Sequence, residues 1–317
     1  MTINDVLKHE SGLAWFTESI PIKNLWTENI KENKTGQIIE KQGLHFIKDA
    51  PERNGSKVEY HAITRGAIIN EVVRRADPKG RTMDEIIRED IGIDGIFVAL
   101  KESEKARSVK VNQPSMNDLL KKALNPANSD VKLGDLLRLM KFFKGALGGG
   151  DPTQAVFAAE QASNPMALDI HANDDAFAKA EVSSCFAQAN ARGLAKLASK
   201  MADKDGGFIS KEVWNDMHSE PDLKYFGVFP EGPLRVNFTK GGLNYFKDFE
   251  KNLSLADEIL NKGRNGYYGW FGYGGSVLQW NPELKIGFAF CPTYLNYMEL
   301  SNARGAKLQG IVADCCK

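Results

Sequence analysis

The feature that most restricts the fold lies toward the C-terminal end, where two apolar runs flank a turn. Trp270 to Trp280 and Ile286 to Cys291 read as strands, and Asn281-Pro282-Glu283 between them is turn chemistry. Runs joined by so short a link pair antiparallel, as a hairpin. Leu234-Arg235-Val236-Asn237-Phe238 reads as another strand. Upstream the period changes. Thr2 stands as an N-cap before a short helix through His9, and a polar, turn-rich stretch follows from Lys31 to Lys57. Ile63, Ala67, Ile68, Val72 and Val73 recur at helical spacing until Asp77-Pro78-Lys79-Gly80. A helix around Met83 to Asp90 leads to the apolar run Ile96 to Leu100. Leu133, Leu136, Leu137, Met140 and Phe143 form one helix face before Gly148-Gly149-Gly150, and Gln188 to Met201 gives another helix. Ser301 to Asp314 closes the chain as a helix. Helices in the middle and paired strands at the end specify an α+β chain, not a βαβ alternation.

Charge narrows the function. Lysine plus arginine and aspartate plus glutamate are 41 each, so the basic excess of a nucleic-acid or anionic-membrane binder is missing. No apolar run approaches the roughly 20 residues of a membrane span. Met1 to Glu10 shows no charged-then-apolar leader pattern. The four cysteines (Cys185, Cys291, Cys315, Cys316) fit neither a zinc site nor a disulfide framework, and the five histidines lack metal-ligand spacing. Asp203 to Glu212 imitates part of a calcium loop, but Met201 would occupy its first ligand position, so a polar turn is expected. Gly269 to Gly275 runs into a strand and does not open a helix, which argues against a phosphate cradle. Cys185, placed just ahead of the 188–201 helix, has no identifiable base for a cysteine-nucleophile reading.

Four segments, in order, resemble one family. Ile3-Asn4-Asp5-Val6-Leu7-Lys8-His9-Glu10-Ser11-Gly12-Leu13 matches the segment that follows the nucleophile helix in class C β-lactamase and penicillin-binding-protein-like serine hydrolases. Tyr60-His61-Ala62-Ile63-Thr64-Arg65-Gly66, with Gly80-Arg81-Thr82-Met83 beyond its helix, is similar to that family's second motif. Ala191 to Ser210 resembles a later helix with its Gly-Gly end. Trp270-Phe271-Gly272-Tyr273-Gly274-Gly275-Ser276, running on to Ile286-Gly287-Phe288, resembles the strand pair near the family's C-terminus. The resemblance implies a β-lactamase/transpeptidase-like fold over 1–317: a mainly antiparallel sheet flanked by helices, with 101–170 as a helical insertion.

It also implies a chemistry, acyl transfer through an acyl-serine intermediate on a small-molecule ester or amide, with no cofactor and no metal. A Ser-x-x-Lys pair supplies the nucleophile and Tyr60 is the general acid/base. The strand at Gly272, Tyr273, Gly274 and Gly275 is an edge strand, and the Tyr273 N–H completes the oxyanion hole. Tyr60 and that strand are expected to line one cleft. Trp270 departs from the Lys or His that the family carries there. The nucleophile helix and first strands would lie ahead of Met1, so the chain is expected to be a stretch of a longer hydrolase lacking the Ser-x-x-Lys; the alternative is a non-catalytic relative kept for binding or assembly. Ser129-Asp130-Val131-Lys132 has the right letters but follows Tyr60, reversing the family order. There Ser129 or Asp130 is expected to be a helix cap.

Overall fold

The computed structural model describes residues 1–14, 16–44, 52–53, 56–58, 60–61, 63–125, 173–205, 207–226, 234–251, 255–272, 274–295 and 303–316. They fall into two compact units, one drawn from Met1–Ala50, Ser56–Lys110 and Gly150–Leu194, the other from Pro51–Gly55, Val111–Gly149 and Ala195–Lys317.

The first unit is mainly helical. Helix α1 (Ile3–Leu7) starts in a capping box: Thr2 Oγ1 accepts from Asp5 N, and Asp5 takes the Thr2 N–H in return. Helix α2 (Thr64–Ala76) buries Ala67 and Ile68 against Val6, Leu13, Phe16, Ile20, Leu25 and Val182. The helical spacing of the apolar residues is thus used as a core face. Helix α3 (Met83–Ile86) has the same capping device in Thr82 and Glu85, then widens to one π-turn over Ile87–Ile91. The stretch expected as a polar loop from Lys31 holds a helix, Lys34–Glu40, because burial of Ile38 in this core outweighs its weak local signal. Of the run Ile96 to Leu100 only Ile96–Phe97 (β1) is strand, and its antiparallel partner is Gln188–Ala189 (β2). The helix expected from Gln188 therefore starts later, as α4 (Ala191–Ala202). Asn190 sets that start as the N-cap, its side-chain oxygen accepting from Gly193 N at 2.8 Å.

The second unit is built on a six-stranded antiparallel meander. Its strands, in chain and spatial order, are β3 (Asp222–Phe226), β4 (Leu234–Phe238), β5 (Asn244–Tyr245), β6 (Tyr268–Phe271), β7 (Val277–Asn281) and β8 (Ile286–Phe290). The expected hairpin is β7–β8, in register from Ile286 opposite Asn281 to Phe290 opposite Val277. Asn281 Oδ1 closes its turn by accepting from Glu283 N and Leu284 N, both at 3.0 Å. Trp270 to Trp280 is not one strand but two, β6 and β7, interrupted between Phe271 and Val277.

Helices cover this sheet. A Cβ on Gly287 would meet Ser199 N at 2.2 Å, so α4 and β8 touch backbone to backbone, which only glycine permits. Ala198, Met201 and Ala202 of α4 pack with Trp280. Helix α5 (Lys211–His218) is capped by Ser210, and helix α6 (Leu255–Asn261) carries Asp257, fully buried against Arg235 of β4. Helix α7 (Ala303–Cys315) is tied in by a chain of buried polar groups. Arg264 Nε donates to Gln309 Oε1 at 3.1 Å, and Gln309 Nε2 donates to Gln279 Oε1 at 2.7 Å. The chain is α+β, as expected. No helix among the described residues is long and apolar enough to cross a membrane.

Candidate active site

In the first unit the first two sequence motifs are locked together. Helix α1 ends at Leu7, and His9 then turns the chain with φ of 65°. That turn delivers His9 and Ser11 to the segment Tyr60–His61, about 50 residues further on. Ser11 Oγ lies 2.7 Å from His61 Nε2, and Leu13 N donates to the same nitrogen at 3.3 Å. A backbone N–H can only donate, so Nε2 carries the lone pair, the His61 proton sits on Nδ1, and the Ser11 hydroxyl donates. Ser11 and His61 are 3% and 1% exposed, which makes this pair an internal brace and not a nucleophile–base pair facing substrate.

His9 completes the brace. Its Nδ1 accepts from His61 N at 3.0 Å, and its ring lies 4.9 Å from the ring of Tyr60. The proton of neutral His9 is therefore on Nε2, which faces Arg65 Nη1 at 3.2 Å. The same Arg65 nitrogen donates to Leu7 O at 3.3 Å. Burial first, then the Arg65 charge and His61, hold His9 well below the ordinary histidine range, so it stays uncharged at neutral pH. Tyr60 itself is half-buried, its ring against His9. A half-buried phenol with its backbone pinned on one side is suited to carrying a proton to and from a neighbouring group.

In the second unit the glycine-rich segment is a tight turn between β6 and β7. Gly272 N donates to Ser276 O at 2.7 Å and Gly275 N to Gly272 O at 3.2 Å. Gly274 and Gly275 have φ of 89° and 121°, conformations that side chains disfavour. The edge strand that the resemblance implies at Gly272–Gly275 is not formed: Gly272, Gly274 and Gly275 lie in the turn after β6, and β6 itself is interior to the sheet, between β5 and β7. Its registered pairs with β5 nevertheless end at Gly269, while Trp270 and Phe271 pair with Leu278 and Val277 of β7. Trp270, at the position where the resemblance implies Lys or His, is half-buried, with Phe238 and Phe271 at ring distances of 5.8 and 4.9 Å. It contributes packing and no charge.

Tyr60 belongs to the first unit and Trp270 to Ser276 to the second. Tyr273, the Ser129–Lys132 sequence and the helix expected over 133–143 lie outside the described residues. Cys185 sits in the turn Val182–Phe186, and α4 begins at Ala191. In the calcium-like segment Asp203 is engaged locally, its Oδ1 accepting from Asp205 N, and Ser210 caps α5. Among the described residues no three His, Cys, Asp or Glu side chains gather as metal ligands. His218 is a packed core histidine: its ring stacks on Trp214 at 3.7 Å, its Nε2 accepts from Trp280 Nε1 at 3.0 Å, and burial pushes it down to about 4. Sequence reasoning singled out Tyr60 but neither Ser11, Arg65 nor Arg304. Ser11 and Arg65 lay inside motifs already noted, whereas nothing around Arg304 signalled that its Nη2 donates to Gly274 O, at 3.1 Å.

Comparison with known proteins gives a consistent result. The Beta-lactamase family model matches residues 1–308. EstA from Arthrobacter nitroguajacolicus Rue61a superposes with a TM-score of 0.65 at 18% identity, covering 100% of this chain and 74% of that one. A family VIII carboxylesterase gives 0.63 at 17%, covering 98% and 71%. A penicillin-binding protein homolog from Caulobacter crescentus gives 0.60 at 19%, covering 99% and 71%. At such identities these likenesses speak for the fold, which is β-lactamase/transpeptidase-like. No curated protein matches the chain.

Proposed function

The chain belongs to the beta-lactamase family, and we propose that its chemistry is acyl transfer from a small-molecule ester or amide, with Tyr60 as the proton carrier and the Gly272–Gly275 turn on the oxyanion side. The observation that carries this is the brace itself. His9 and Ser11 of the first motif hold Tyr60–His61 of the second, leaving Tyr60 half-buried while its neighbours are sealed. In such a reaction a serine Oγ bonds to the carbonyl carbon as its proton passes to Tyr60. Backbone N–H groups hold the negative oxygen, the leaving group departs with the proton, and water then breaks the acyl-serine.

The 317 residues contain one Ser-x-x-Lys, Ser129–Lys132, and none ahead of Tyr60. On this reading they supply the tyrosine and the turn but not the nucleophile, and are silent on their own; loss of the serine alone removes a factor on the order of 10⁶. Residues 101–170 are then an elaboration that the chemistry does not use. Trp270 favours a second reading, a relative that binds and does not turn over, since an indole supplies no charge at that position.

The test is incubation of purified chain 1–317 with p-nitrophenyl acetate and with a chromogenic cephalosporin. Rates equal to buffer are expected. Turnover above buffer that disappears in Tyr60→Phe would show a complete site within these residues and overturn the silence.

A further inference from the structure

Arg304 is the second residue of α7, where the helix dipole disfavours a cation. Its guanidinium is engaged away from the helix. Nη2 donates to Gly274 O at 3.1 Å and to Tyr294 O at 3.2 Å, and the group lies 5.7 Å from the Phe290 ring. Both acceptors border one contact. A Cβ on Gly274 would meet Leu295 Cβ at 2.9 Å, so the turn already rests on the 293–295 segment. That segment is held from its other side, where Leu295 N donates to Asn112 O at 2.7 Å and Asn112 N to Thr293 O at 2.8 Å. Gly274 O and Gly275 N–H belong to one planar peptide, so whatever fixes the carbonyl fixes the direction of that N–H.

We propose that Arg304 is the positioning residue of the glycine turn: by bridging the Gly274 and Tyr294 carbonyls it clamps the turn to the 293–295 segment and holds it in one conformation. The assignment rests on the reading of this turn as the oxyanion side of the site. It separates two jobs within a few residues. Glycine lets the turn form, and a charge-assisted donor from α7, 30 residues away, keeps it in one orientation. A preorganised N–H needs such a clamp, because donors that must reorient during the reaction lose most of their value.

The experiment is residue-resolved amide hydrogen exchange on the full chain for wild type, Arg304→Met and Arg304→Lys. Methionine keeps the apolar stem and removes every donor; lysine returns a cationic donor. Exchange at Gly272 and Gly275, the hydrogen-bonded amides of the turn, is expected to accelerate about tenfold or more in Arg304→Met, the loss of one charge-assisted bond. Arg304→Lys is expected to recover a large part of that protection, and the β7 amides stay at the wild-type rate in both. Unchanged Gly272 and Gly275 exchange in Arg304→Met, equal acceleration across β7, or a lysine variant as fast as methionine would each overturn the proposal. If Arg304→Met does not fold, Arg304→Gln, which removes the charge, carries the test against wild type: a several-fold acceleration confined to the turn supports the proposal, and wild-type exchange at Gly272 and Gly275 refutes it. No substrate enters this measurement, so its failure leaves the acyl-transfer reading to the hydrolysis assay, and failure of that assay leaves the exchange result standing.

Discussion

The surroundings of Tyr60 and the Gly272–Ser276 turn are assembled from different materials. Tyr60 is positioned by side chains: His9 against its ring and on the neighbouring backbone, and His61 braced in turn by Ser11. The turn is positioned by backbone, through Gly272 N to Ser276 O and Gly275 N to Gly272 O, with Arg304 gripping a carbonyl from outside. A brace of buried side chains is tight but chemically vulnerable, since removing one member orphans the others. A backbone turn has little to orphan, and its weak point is conformational. Substitutions should therefore cost more in the first region, and acid should reach His9 of the brace while leaving the turn alone.

The largest effect is expected from His61→Ala. It removes the partner of Ser11 Oγ and of Leu13 N in a site 1% exposed, and it opens a cavity. A loss of about 3–5 kcal/mol is expected in urea unfolding. A loss below about 1 kcal/mol would show that the brace is ornamental and collapse the distinction between the two regions.

Acid should come next. His9 in the first unit and His218 in the second are both lowered in the folded chain, chiefly by burial, His218 to about 4. The unfolded chain takes up protons on these rings near pH 6.5 while the folded chain does not, so their contribution is complete above about pH 6.5 and is lost as pH falls below it, for His218 toward about 4. For His218 alone the loss is on the order of 2 kcal/mol. Unfolding followed from pH 7.5 to 4 in wild type and His218→Phe measures it. Parallel profiles would refute the assignment, and His9→Asn, whose side chain tolerates positive φ, makes the same comparison for the brace.

The smallest effect is expected at the turn. Gly274→Ala places a Cβ at φ of 89° and 2.9 Å from Leu295 Cβ, so the turn or the 293–295 segment must shift slightly. A cost of about 1–2 kcal/mol is expected, independent of pH, because no titrating group is involved. A cost as large as that of His61→Ala would show that turn and brace are equally rigid.

Much of this was legible in the amino-acid order. Periodicity alone distinguishes α2 and α7 from the β7–β8 hairpin, because periods of 3.6 and 2 put apolar residues on different faces. Thr2 with Asp5 and Thr82 with Glu85 are capping devices contained within four residues. The letters around Tyr60 were readable for a related reason: side-chain chemistry is written into residue identity. What the chain order could not carry is pairing at long range. Strand β5 is two residues long and exists only because Phe238 and Gly269 frame it from either side, so β6 looked like an edge. The helix Lys34–Glu40 exists because Ile38 finds a core. Asn190 ends a strand and starts a helix through one side-chain bond that a periodic pattern runs straight across. Arg304 reaches the glycine turn only once α7 is laid against the sheet. Residue identity and spacing determined the local elements and the family motifs, since those depend on neighbours within a few turns. Tertiary structure decided which backbone groups meet across the sheet and which charge clamps which carbonyl, because a hydrogen bond between residues 30 or 50 apart leaves no periodic trace in the chain.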